Sequence, residues 1–235
     1  MSAQIESWSI ALIFFTFLVI VVVLLAIVLT KNRENLKKYF FALLVATILL
    51  TTFFLAFSTV YLNSVSATSG PVHWHMDFEI WLCGQKVNLV DPKGFSNKIG
   101  TPLVHEHNDS RLHVEGVVLN KNEVSFGSFI SVIGGRLDQG YFSVPTNNGK
   151  LIVVDGESCP DGKKGQLQGF VYKVVGKNIT QTKLSDIGNY ILSPESNVPP
   201  GDCLIIEFAE TKLKSDHLCE SYKVAILKGK FIRGY

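Results

Sequence analysis

The sequence predicts a membrane-anchored, mainly β protein: an α-helical transmembrane hairpin followed by an extracytoplasmic β-sandwich or partly open barrel with one short helix. Three observations carry this reading. Two long uncharged apolar runs open the chain, a short basic loop separates them, and the chain after Ser64 reads as short strands punctuated by turn residues.

The first run, Trp8 to Thr30, contains no charge, proline or glycine. At 1.5 Å per residue it covers roughly 34 Å, enough to cross a hydrocarbon core of about 30 Å. Phe40 to Leu62 is a second uncharged run of similar length. Hydrocarbon offers no partner to backbone polar groups, so both runs are expected as helices, over about 8–30 and 40–62. Lys31, Arg33, Lys37 and Lys38 lie between them, whereas the segment before the first run carries only Glu6. Basic loops stay in the cytoplasm, which gives a two-pass protein of the cytoplasmic (plasma) membrane with its N-terminus and its C-terminal domain extracytoplasmic. The lipid bilayer is thus the first expected partner. A membrane-protein partner docking on the hairpin is the second, because Ala42, Ala46 and Ala56 are small enough to admit another helix closely. Val65-Ser66-Ala67 also fits a signal-peptidase site, so release by cleavage after Ala67 is the alternative to permanent anchoring.

The hairpin occupies 1–63, a small polar linker 64–71, and the β domain 72–235. Of 22 basic and 20 acidic residues, four and two fall in 1–65, so the remainder carries 18 of each. A formally neutral domain gives no electrostatic reason to bind nucleic acid. All four cysteines, Cys83, Cys159, Cys203 and Cys219, lie in the domain. An even count outside the cytoplasm points to disulfides, with Cys83–Cys159 and Cys203–Cys219 the first of three connectivities; free buried thiols are the alternative. Asn108-Asp-Ser110 and Asn178-Ile-Thr180 match the glycosylation pattern.

Within the domain, Trp74, Met76, Phe78, Ile80 and Leu82 alternate with His73, His75, Asp77, Glu79 and Trp81, the period of a strand with one buried face. Lys86–Val90 completes a hairpin, and Leu112–Leu119 is a further strand. From Ser125 to Ile133 the spacing turns helical, with Ser125 as cap and Gly134-Gly135 as stop. Strands are expected again at Leu151–Val154, Gly169–Val175, Asp202–Glu210 and Tyr222–Leu227. Asn147-Asn148-Gly149, Pro160-Asp161-Gly162 and Pro199-Pro200-Gly201-Asp202 mark turns.

The chemistry concentrates in histidine. Five of the six histidines, His73, His75, His105, His107 and His113, fall between Pro71 and Val114. Two H-x-H pairs place imidazoles on one face of a strand, about 6.5–7 Å apart at Cα, close enough to converge on one ion at about 2.0–2.1 Å. Asp77, Asp109 and Glu115 can orient such imidazoles by accepting their other N–H. Copper(II) or zinc bound by His73, His75, His105 and His107, with His113 as alternate ligand, is the leading expectation. A solvated polar face, a hydrogen-bonded His/carboxylate network, and a contact sensitive near pH 6 are the competing readings.

Three segments together carry a resemblance: His73-Trp-His75-Met-Asp77-Phe-Glu79, His105-Glu-His107-Asn-Asp109, and Arg111-Leu-His113-Val-Glu115-Gly116. They resemble a group of uncharacterised bacterial membrane-anchored or exported proteins that pair an H-x-H strand with an H-[TE]-H-[DN]-D…H-[VI]-E segment. Ser125-Phe-Gly-Ser-Phe129 resembles the group's next stretch, so the similarity covers roughly 71–135, with echoes near Val198–Glu207. It implies localisation and a shared histidine site, not a reaction. Cytochrome oxidase subunit II has a similar layout, but its Cys-x-x-x-Cys motif is missing from this sequence. Copper–zinc superoxide dismutase needs later histidines that are absent, and the cupin spacing is not reproduced.

Three functions follow. The first is a membrane-anchored extracytoplasmic copper- or zinc-binding protein, including an accessory subunit of a membrane complex. The second is a metal-free structural or interaction module of a membrane assembly. The third is a metal-dependent hydrolase or oxidase with Glu106, Asp109 or Glu115 as base. Metal identity, substrate and oligomeric state are not encoded in these patterns.

Overall fold

A computed structural model describes residues 2–30, 33–191 and 201–233. Lys31 of the basic loop, Val198, and Pro199 and Pro200 of the last expected turn lie outside these residues. The chain divides into two compact units, Met1–Gly70 and Pro71–Tyr235.

The first unit is a pair of helices, α1 (Ser2–Leu29) and α2 (Arg33–Val65), each long and apolar enough to cross a membrane. Both helices outrun the uncharged segments, since helical geometry continues through the polar ends. Their seam is built from Thr16 and Val23 on α1 and Thr47, Thr51 and Ser58 on α2. The Thr16 and Thr51 hydroxyls meet at 2.6 Å. Because the Thr51 hydroxyl gives its one proton to the Thr47 carbonyl, Thr16 is the donor of the pair. Ala42, Ala46 and Ala56 are exposed on the outer surface of α2 and take no part in this seam. Of the linker expected at 64–71, residues 66–70 are knitted into a turn between α2 and the first strand: the Thr68 hydroxyl donates to the Gly70 carbonyl at 2.7 Å, and the Thr68 N–H to the Ser66 hydroxyl at 3.1 Å.

The second unit is built on one mixed sheet. Its strands are β1 (Pro71–Leu82), β2 (Gln85–Val87), β3 (Ile99–Gly100), β4 (Val104–Glu106), β5 (Arg111–Val117), β9 (Gln166–Val175), β10 (Asn178–Leu184), β11 (Asp202–Ala209) and β12 (Ile232–Arg233). They run in the order β12-β10-β9-β11-β1-β5-β4-β3, with β2 paired to the far end of β1. A second sheet consists of β6 (Arg136–Asp138), β7 (Tyr141–Thr146) and β8 (Gly149–Val154). Two α-helices, α3 (Phe126–Val132) and α4 (Glu220–Leu227), and a 3-10 turn at Lys121–Val124 complete the unit.

Two apolar clusters clothe the large sheet. On one face, Trp74, Met76, Phe78 and Ile80 of β1 join Leu112 and Val114 of β5, Phe126 and Phe129 of α3, and Phe142 and Val144 of β7. On the other, Phe170 and Tyr172 of β9 and Cys203 and Ile205 of β11 pack against Leu218, Cys219 and Tyr222. Central β11 is buried on both faces, which is why it reads as a near-continuous apolar run. It lies parallel to β1, Met76 beside Asp202 and Leu82 beside Phe208.

The architecture corrects the sequence reading in three respects. The sandwich or barrel with one helix is a layered mixed sheet with two α-helices. The expected strand at Tyr222–Leu227 is α4: Tyr222 and Ala225 are buried and Ile226 packs beside them, a helical i, i+3, i+4 face. Val224 and Ile226 favour strands locally, but the Cys203–Cys219 disulfide and the apolar cluster under α4 decide otherwise. The expected helix at Ser125–Ile133 is α3, with the Ser125 hydroxyl accepting from the Ser128 N–H at 3.1 Å. Expected strand Lys86–Val90 shortens to β2 because the chain leaves the sheet after Val87. Cys83 is bonded to Cys159 and Cys203 to Cys219, and no free cysteine is present among the described residues.

Candidate metal centre

Strand register creates the site. Antiparallel β1 and β5 set His75 opposite His113 and His73 opposite Glu115. Antiparallel β4 and β5 set His105 opposite the same His113. Three imidazoles therefore stand in a row across β1, β5 and β4, on the sheet face away from Trp74, Met76 and Val114. The ring of His113 lies edge-on to His75 at 4.7 Å and parallel to His105 at 5.5 Å between centroids. His73 joins through His75 at 4.5 Å, and His107 through His105 and His113 at 4.9 and 5.0 Å.

A tight turn delivers His107. After β4 the chain reverses through Asn108 and Ser110, both at positive φ (66° and 57°), which costs side-chain-bearing residues roughly 1 kcal/mol each. Buried Glu106 holds the turn, its Oε1 accepting from the backbone N–H groups of Asp109 and Ser110 at 2.6 and 2.9 Å. His107 Nδ1 sits 2.6 Å from the Asn97 carbonyl oxygen. A carbonyl only accepts, so Nδ1 carries the proton and Nε2 presents its lone pair.

One ring nitrogen from each of His73, His75 and His113 lies within 4.8 Å of the others, and the same holds for His105, His107 and His113. A zinc–nitrogen bond of about 2.0–2.1 Å requires ligand nitrogens roughly 3.4 Å apart, so small ring rotations would close either set. Two ring nitrogens within the cluster, His105 Nδ1 and His113 Nε2, are buried with no hydrogen-bond partner among the described residues. Leaving a polar atom in that state costs about 1–3 kcal/mol. Asp109 Oδ2 stops 3.7 Å from His113 Nε2, beyond hydrogen-bond reach. Glu115 lies between the strands, 3.1 Å from His73 Nε2 and 4.0 Å from His105 Nε2.

Burial biases His113, His75 and His105 towards the neutral form. Burial is the main cause that pushes His113 from 6.5 down to about 4, and neighbouring His75 adds to it against the opposing pull of Asp109. His75 is lowered by burial and by His73, His105 by burial and by Lys98. Neutral imidazoles offer lone pairs, which a metal needs and a proton would block.

The remaining expected residues take other roles. Asp77 is buried beneath α4, accepting from Arg111 Nε at 2.6 Å and from the Ser221 hydroxyl, rather than orienting an imidazole. His217 stacks on Trp81 at 3.7 Å, next to Glu207. Met76 is fully buried in the opposite core, and the four cysteines are in disulfides, so no sulfur ligand reaches the cluster among the described residues. Sequence reasoning missed Asn97, which acts through its backbone carbonyl, and ranked His113 below its neighbours although it occupies the centre. No family model matches the chain, and neither a curated protein nor a solved structure does.

Proposed function

We propose that the chain is a two-pass membrane protein whose extracytoplasmic C-terminal domain binds copper(II) or zinc through the β1–β5–β4 histidine cluster. Such a domain serves as a metal receiver or as the accessory subunit of a membrane complex. The observation that carries this reading is the pair of buried, unpartnered nitrogens, His105 Nδ1 and His113 Nε2, inside a group of five imidazoles. A hydrogen-bonded His/carboxylate network would satisfy those atoms; a cation supplies the partner they lack. Imidazole and carboxylate without thiolate or thioether suit Cu(II) and Zn(II) over Cu(I). The two disulfides accord with an oxidising compartment, and the basic residues between the two apolar runs with a cytoplasmic end of the hairpin.

The test is elemental analysis of the full chain, purified in detergent, exposed to an equimolar mixture of Zn(II) and Cu(II), and freed of excess ion. Near-stoichiometric metal in the wild type and its loss in His113→Ala are expected. A folded wild-type protein that retains neither ion overturns the reading.

A further inference from the structure

The five imidazoles form two overlapping sets rather than one ring, and the sets differ in access. His73 on the outer set has a side chain 63% exposed, while His105 on the inner set is 2% exposed. His113 belongs to both. Resting on the metal-binding reading above, we propose that a divalent cation is received by His73, His75 and His113 and then passes to His105, His107 and His113 by ligand exchange, with His113 as the ligand it keeps.

Each step has a physical reason. Exposed His73 is the imidazole an arriving hydrated cation meets first, and the ion sheds water as His75 and His113 bind. Its bonds to His73 and His75 are then replaced by bonds to His105 and His107. Two neutral ligands leave and two arrive, so no proton or electron has to move. The inner set favours the ion because buried His105 Nδ1 has no hydrogen-bond partner among the described residues and His107 Nε2 is pre-aimed by the Asn97 carbonyl. The outer set holds it less firmly, since His73 is exposed to competing water and already faces Glu115. Retaining His113 spares the ion a return to bulk water. Two cations at once are disfavoured: one neutral imidazole has one free lone pair, so His113 cannot serve both sets at the same time. A site so arranged takes up a cation from one side and holds it in a protected position for delivery.

Stopped-flow transfer of Zn(II) to and from a chromophoric chelator, on the full chain in detergent, tests the relay. The wild type should retain one Zn(II). His73→Gln, on an exposed side chain whose replacement spares the fold, should retain one Zn(II) but load about ten-fold or more slowly. His105→Ala/His107→Ala should still bind one Zn(II) but release it about ten-fold or more faster. If that double variant loses its fold by circular dichroism, His107→Gln alone carries the release arm. Wild type that retains two Zn(II), His73→Gln that loads at the wild-type rate, or an inner-set variant that releases at the wild-type rate overturns the relay while leaving metal binding intact. Wild type that retains none overturns the metal-binding reading itself.

Discussion

His75 and His113 face each other across the β1–β5 ladder with ring centroids 4.7 Å apart, and His113 is at the same time the cross-strand partner of His105. One residue thereby links two strands' worth of imidazoles. Its burial, rather than any hydrogen bond to a carboxylate, sets its chemistry.

The first consequence concerns pH. His113 is held neutral down to about 4 in the fold, against 6.5 ordinarily. Between those values the unfolded chain binds a proton that the folded chain refuses. The contribution of His113 to stability is therefore intact above 6.5 and shrinks as pH falls towards 4. Histidine C2-hydrogen exchange followed by mass spectrometry on the metal-free full chain should give His113 a midpoint near 4. A midpoint near 6.5 would contradict its burial.

A second prediction separates scaffold from ligand. Arg111 Nε bonds Asp77 Oδ1 at 2.6 Å, two residues along β5 from His113. Arg111→Met leaves the buried Asp77 carboxylate with the Ser221 hydroxyl but without its cation and should cost about 2–3 kcal/mol of stability, less than a fully buried pair because Arg111 is partly exposed. Asp77→Asn should cost less, since an amide keeps a hydrogen-bonding partner for Arg111. In both variants metal retention should stay at the wild-type level, read by elemental analysis beside chemical denaturation.

The disulfides should act mainly on stability. Cys203–Cys219 closes 16 residues and anchors the start of α4, and replacing both cysteines with serine should cost about 3 kcal/mol. Cys83–Cys159 closes 76 residues and should cost about 4.5 kcal/mol. Thermal unfolding of the two paired-serine variants ranks them, and the reverse order would show that loop entropy is not the governing term.

In the hairpin, the Thr16–Thr51 hydroxyl contact should contribute about 0.5–1.5 kcal/mol to association of α1 and α2. Thr16→Val removes the donor and should lower the resistance of the hairpin to unfolding by titrated dodecyl sulfate. Ala46→Val, on the exposed side of α2, should leave it unchanged.

Local pattern carried the parts of this fold that are local. Alternation along β1 marked Trp74, Met76, Phe78, Ile80 and Leu82 as one core face, and all five are buried. The same alternation left Asp77 and Glu79 on a polar face that looks solvated in sequence. Both are buried, because α4 and the segment before it cover that face, and nothing within β1 encodes the cover. Parallel pairing of β1 with β11 joins residues more than a hundred positions apart and leaves no local signature. For the same reason the H-x-H pairs were legible as a cluster, while the central place of His113 was not: it depends on the register of β5 against two other strands. At Tyr222–Leu227 two β-branched residues outweighed the helical spacing of Tyr222, Ala225 and Ile226, and only packing decides between them.

The central claim, that this row of imidazoles is a metal ligand set, is tested most directly by X-ray absorption on the full chain loaded with one equivalent of Zn(II) or Cu(II). Three imidazoles at about 2.0–2.1 Å without sulfur are predicted, with no bound ion in His113→Ala. A first shell of water and carboxylate oxygen alone, unchanged in His113→Ala, would contradict it.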